Sequence, residues 1–100
     1  MKGTYKITMG DGSVWSIPIM VIAENRADNY KHEFDGSLED SLAKDTIPLF
    51  TQDDYEIQDW ARNNMNWCDV KKHAIQTYHV DCDYQDGWIN GDVNIAIEEP

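Results

Sequence analysis

One hundred residues with a mass of 11.6 kDa suffice for one domain with one small core. Nineteen acidic residues against eight lysines and arginines give a formal net charge of −11. This charge argues against direct nucleic-acid binding, which needs a basic footprint, and against docking on an anionic membrane. The longest apolar run, residues 17–23, is too short to span a bilayer. We therefore expect a single domain over residues 1–100, without a cofactor.

The N-terminal third predicts a hairpin followed by a helix. Apolar and polar residues alternate over 5–9, the period of a half-buried strand, and 10–12 have the composition of a tight turn. A return strand over 14–17 ends at Pro18, which cannot donate to a sheet but suits the first turn of a helix. Apolar residues at three- and four-residue steps predict that helix over 19–34.

The middle of the chain predicts further short helices. Ser37 has the composition of an N-cap, and the helix that follows it is expected to end before a connector at residues 45–50. Residues 51–54 repeat the capping pattern ahead of a third helix with one apolar stripe. Asn66 predicts one more turn, running to about His73.

The C-terminal quarter predicts strands. Residues 75–80 are rich in β-formers, and residues 81–86 predict an acidic loop or edge. Asn90-Gly91 is typical of a two-residue hairpin loop, which would set Trp88 opposite Val93. The whole pattern predicts an α+β domain, in which the N-terminal hairpin and C-terminal strands form a small antiparallel sheet with about three helices on one face.

The two cysteines and two of the three histidines offer a set of candidate metal ligands. Cys68, His73, His79 and Cys82 offer thiolate and imidazole ligands, which suit tetrahedral zinc. Their spacing matches no common zinc motif, so we predict no metal and keep a small zinc-binding domain as an alternative. Free thiols are favoured over a disulfide for the cysteines.

No serine, cysteine or histidine stands in a recognisable catalytic context, so we predict that the chain is not an enzyme.

The acidic excess lies in residues 51–100, which hold eleven acids and three bases. Aromatic residues lie among these acids in the sequence, and such aromatics can anchor an interface while the acids steer a basic partner. The predicted interaction residues are Asp53, Asp54, Glu56, Asp59, Asp69, Asp81, Asp83, Asp86, Trp88 and Asp92.

Three segments, 15–27, 45–50 and 55–67, resemble small acidic uncharacterised proteins of bacteriophages and prophages. The resemblance spans about residues 5–75 and carries no catalytic motif. It implies an anti-defence protein of the bacterial host cytoplasm, such as an anti-CRISPR protein, that binds a basic nucleic-acid-binding surface as an acidic DNA mimic. A phage structural or assembly protein is the alternative, and a homodimer is a further arrangement to test.

Overall fold

The computed structural model of the chain describes residues 1–10, 12–78 and 88–98. Its sheet has four antiparallel strands in the order β3-β2-β1-β4. The strands are β1 (Lys2–Thr8), β2 (Val14–Pro18), β3 (Ile75–Tyr78) and β4 (Asp92–Glu98). Together with the helices between β2 and β3, this sheet confirms the predicted α+β class.

Five α-helices connect the second and third strands. They are α1 (Ile19–Tyr30), α2 (Leu38–Ser41), α3 (Ile47–Gln52), α4 (Tyr55–Asn64) and α5 (Trp67–Val70). Turns of 3₁₀-helix follow α1 at Lys31–Phe34 and α5 at Lys71–His73, and a π-helical turn, Leu42–Thr46, joins α2 to α3. The predicted starts at Ser37 and Asn66 are confirmed, since Ser37 Oγ accepts from Asp40 N at 3.1 Å and α5 begins after Asn66.

The core lies between one face of the sheet and the helices. Tyr5 of β1 pairs with Ile17 of β2 on one side and with Ile95 of β4 on the other. Directly paired residues point to the same face of a sheet, so these three side chains share the core face. Tyr5 and Ile7 are fully buried, whereas Lys6 between them is exposed. The helices complete this core with apolar residues that include Ile19, Ile22, Ala23, Phe50, Ile57, Ala61 and Val70.

Gly3 is the glycine that the packing of this sheet requires. Its φ is +145°, a value that side chains rarely adopt. A Cβ there would lie 2.5 Å from the Ala96 carbonyl oxygen and 2.7 Å from Ile19 Cδ1. The close approach of β1, β4 and the start of α1 therefore depends on the missing side chain.

The predicted connector at 45–50 is wrong, because those residues are helical. The run from α2 through the π-turn to α3 is continuous, and Pro48 lies in the first turn of α3. A proline removes one backbone donor and crowds the preceding turn. The wider π-turn directly before Pro48 relieves that crowding, so the helix continues where the sequence predicts a stop.

The predicted C-terminal hairpin is also wrong. Residues 88–90 are helical, and β4 pairs with β1, setting Thr8 opposite Asp92 and Ile7 opposite Val93. Trp88 is anchored elsewhere, since its indole Nε1 donates to the carbonyl oxygens of Ala61 and Met65 at 3.1 Å. This tertiary contact outweighs the local turn preference of Asn90-Gly91. The predicted strand at 75–80 is confirmed as far as Tyr78, and residues 79–87 lie outside the described residues.

Candidate functional site

A shallow groove runs between the first turn of α4 and the strand β4. Its lining residues are Asp54, Tyr55, Gln58, Val93 and Ile95, and we call it the α4–β4 groove. The groove holds 190 Å³ and is open to solvent. Sites for small-molecule ligands usually measure about 300–1,000 Å³ and enclose the ligand. The α4–β4 groove therefore suits side chains of a macromolecule better than a small substrate.

The helical wall of the groove is set by the amphipathic pattern of α4. Ile57 and Ala61 are buried, which turns Tyr55 and Gln58 outward. Asp53 fixes the start of the helix, because its Oδ1 accepts from the Tyr55 amide at 3.1 Å. Tyr55 consequently stands with 61% of its surface exposed, the most exposed large hydrophobic residue in the described chain.

The strand wall is set by the pairing of β4 with β1. Val93 lies opposite Ile7 and Ile95 opposite Tyr5, which places both on the core face of the sheet. They are only half-buried, because β4 is the last strand of the described sheet. Arg62 of α4 ties the two walls together, since its Nη2 donates to the Gly91 carbonyl oxygen at 2.8 Å.

Tyr5, which pairs with the groove residue Ile95, is fully buried. Burial raises the pKa of the Tyr5 hydroxyl to about 12, and the neighbouring Arg62 guanidinium partly offsets that rise. The Tyr5 ring packs on Trp88 with 5.4 Å between centroids, and Trp88 continues to Trp67 at 6.2 Å. These aromatic contacts form part of the apolar core on the side of the sheet that faces α4.

The predicted acidic residues fall into three groups. Asp53, Asp54, Glu56 and Asp59 lie on α4 or just before it, and Asp92 begins β4. Asp69 lies on α5, where its Oδ2 accepts from the Asn66 amide at 2.8 Å, a helix-capping role. Asp81, Asp83 and Asp86 lie outside the described residues.

The acids nearest the groove are free of bases in the described part of the chain. Asp53, Asp54 and Asp92 are exposed, and the ion pairs formed there involve other acids. Asp59 instead accepts from Asn63 Nδ2 at 2.9 Å on its own helix. The carboxylates of Asp53, Asp54 and Asp92 are thus available to an external cation.

Trp88 is a correction to the predicted interaction residues. It has no exposed surface and belongs to the core, so it cannot contact a partner in this fold. Its size and the two indole hydrogen bonds make it an anchor for α4 instead. No local signal in the sequence marks Gln58, Val93 and Ile95 as groove residues. The alternation over 92–98 is visible in the sequence, but the position of this strand at one side of the described sheet is not.

Only two of the four candidate zinc ligands lie in the part of the chain that the structure describes. Cys68 and His73 are both exposed, while His79 and Cys82 lie outside the described ranges. Within the residues described, no three histidine, cysteine or acidic side chains are grouped so that they could hold a metal ion. The zinc alternative stays a prediction.

A second polar cluster joins α1 to its neighbours. Arg26 Nη1 donates to Asp45 Oδ2 and to Thr46 Oγ1, each at 2.9 Å. The guanidinium also lies over the rings of Tyr30 and Trp60, at 4.8 Å and 5.9 Å from their centroids. Because these partners already engage the guanidinium, the cluster holds helices together and is a weaker candidate for binding than the α4–β4 groove.

No known protein family, characterised protein or solved structure shows a detectable similarity to this chain. None of the helices in the described ranges has the length and apolar character needed to cross a bilayer.

Proposed function

We propose that this chain is a non-enzymatic, phage-type binding protein that occupies a basic nucleic-acid-binding surface of a bacterial defence protein. One observation carries the proposal. Three exposed carboxylates without basic partners in the described chain lie at the starts of the two elements that form the α4–β4 groove: those of Asp53 and Asp54 directly before α4, and that of Asp92 at the first residue of β4.

The chemistry of the groove supports a protein partner with a basic surface. Tyr55 offers a large amphipathic ring, the type of residue that anchors protein interfaces. The carboxylates of Asp53 and Asp54, which directly precede Tyr55, and of Asp92 at the start of β4 match the sign of nucleic-acid phosphates. They therefore fit lysines and arginines that otherwise hold a nucleic acid. The net charge of −11 adds long-range attraction to any such partner.

The experiment compares two variants with the same loss of charge. The test variant replaces Asp53, Asp54 and Asp92 with asparagine, which keeps the oxygen that accepts from the Tyr55 amide. The control replaces Glu24, Glu33 and Glu39 with glutamine; these are exposed acids of other elements, without ion pairs in the described chain. Tagged wild type and both variants capture proteins from a bacterial lysate in low salt and then in high salt.

We expect the wild type to retain a nucleic-acid-processing protein in low salt and to release it in high salt. The asparagine variant should bind about ten-fold more weakly, whereas the glutamine control should lose about two-fold or less. In a direct competition, the wild-type chain should displace labelled duplex DNA from the purified partner.

Three results would count against the proposal. Equal weakening in both variants would mean that overall charge, and not this face, governs binding. A partner that binds this chain and DNA simultaneously would rule out occupation of the nucleic-acid surface. Capture of phage particle proteins alone would favour the structural or assembly alternative.

A further inference from the structure

The strand β4 forms one side of the sheet in the described chain. It spans seven residues, Asp92–Glu98, and pairs only with β1 among the described strands. Such an edge presents backbone donors and acceptors that can pair with another strand. The usual protections against pairing, a proline or a lysine, are absent from these seven residues. The edge is therefore competent to accept a further strand.

The side chains of β4 alternate between apolar and exposed positions, a pattern that the side chains of a partner strand can match. Val93, Ile95 and Ile97 are half-buried and line one face, whereas the alternate residues are exposed. The α4–β4 groove lies against the first two of these apolar residues, with Tyr55 on its far wall. A helix beside an accessible edge strand is an arrangement in which extended peptides are bound by strand addition.

The charges beside β4 favour a basic strand over a second copy of this chain as its neighbour. Two acids, Asp92 and Glu98, stand near the ends of β4, and Asp54 lines the groove. A second copy of this chain fits poorly. Antiparallel pairing of two β4 strands centred on Ile95, the register with full overlap, sets Asp92 of each copy opposite Glu98 of the other. Like charges directly opposite are destabilising in a sheet.

We propose that β4 binds an extended, basic segment of the partner as a fifth strand, with alternate apolar side chains of that segment in the α4–β4 groove. This inference rests on the proposed function and specifies its mode of binding. The backbone of the segment would supply affinity through the ladder. Its lysines or arginines, on the face opposite the groove, would lie beside Asp92 and Glu98.

The test uses a heptapeptide that alternates lysine with valine, capped at both ends, and the full-length chain. A matched peptide carries the same side chains but is N-methylated at every residue, so it keeps the charge and cannot form a strand ladder. Binding is measured by calorimetry in low salt, and backbone amides are followed by NMR hydrogen exchange.

We expect the plain peptide to bind at least about ten-fold more tightly than the N-methylated peptide. Amides within Asp92–Glu98 should exchange about ten-fold more slowly in the complex. Tyr55→Ala should weaken binding about five-fold, because it removes one wall of the groove. Leu38→Ala, at the other exposed large hydrophobic residue, is the control and should leave binding unchanged.

The outcomes separate this inference from the proposed function. Equal binding of the two peptides, with the asparagine variant of Asp53, Asp54 and Asp92 weakened, would overturn strand addition and leave the acidic-face proposal intact. Unchanged exchange of the β4 amides in a bound complex would overturn strand addition as well. Dimerisation through β4, seen by sedimentation of the free chain, would identify a second copy as the occupant and refute the basic segment.

Discussion

At the residue scale, Tyr5 links the stability of the fold to alkaline pH. Its hydroxyl is buried in the core, and burial raises its pKa from 10.0 to about 12. The native state therefore keeps the phenol neutral over a range in which the unfolded chain releases the proton. By linkage, the free energy of unfolding is unaffected below pH 10 and falls as the pH rises from 10 towards about 12.

We expect Tyr5→Phe to remove this pH dependence. Each unit of pKa shift corresponds to about 1.4 kcal/mol, so the wild type should lose roughly 2–3 kcal/mol of stability near pH 12 that the variant keeps. At pH 7 the two should differ by about 1 kcal/mol or less. Urea unfolding between about pH 8 and pH 11.5 measures the difference. If the free energy of unfolding falls equally with pH in the wild type and in Tyr5→Phe, the prediction is wrong.

At the element scale, Arg26 is the residue that joins three helical segments. It bonds to the π-turn through Asp45 and Thr46, and it stacks on Tyr30 of α1 and Trp60 of α4. Trp60 Nε1 also donates to Asn25 Oδ1 at 2.9 Å, which reinforces the contact between α1 and α4. The π-turn places Asp45 and Thr46 side by side against one guanidinium, which gives this turn a structural role.

We expect Arg26→Lys to destabilise the fold although it keeps the charge. An ammonium cannot both stack on the two rings and donate to both oxygens from one planar group. The expected loss is about 1–2 kcal/mol in the free energy of urea unfolding. Lys31→Arg is the control, since Lys31 forms an exposed pair with Asp28 at 2.8 Å, and should change stability by about 0.5 kcal/mol or less. Equal effects would show that Arg26 contributes charge alone.

At the scale of the whole molecule, eleven excess negative charges are confined to a body with a radius of gyration of 13.7 Å. Self-repulsion at this density opposes folding and favours attraction to a basic partner. Salt screens both effects, because the screening length is about 10 Å at 0.1 M ionic strength.

We therefore expect salt to act in opposite directions on folding and on binding. Raising sodium chloride from about 20 mM to about 500 mM should increase the free energy of urea unfolding by about 1 kcal/mol or more, and should weaken binding to the basic heptapeptide. Urea is the appropriate denaturant because guanidinium is itself a salt. A folding stability that falls with salt would contradict the prediction.

The sequence alone determined much of this protein, because the relevant signals are local. The alternation in β1 and β4, the cap at Ser37 and the apolar stripe of α4 each follow from spacing along a few residues, and together they specify the α+β class. The acidic character of the α4 region is equally visible in the sequence. The structure contains each of these elements in its described residues.

Tertiary structure decided what spacing cannot encode. Trp88 is in the core and not in an interface because Ala61 and Met65 accept its indole hydrogen, and that contact also removes the predicted hairpin. Pro48 lies inside a helical run because a π-turn accommodates it. Asp92–Glu98 pairs with the first strand of the chain, which makes it the last strand on that side of the described sheet, beside α4. The candidate site exists because long-range pairing joins segments that are far apart in sequence, and local propensity carries no information about such pairing.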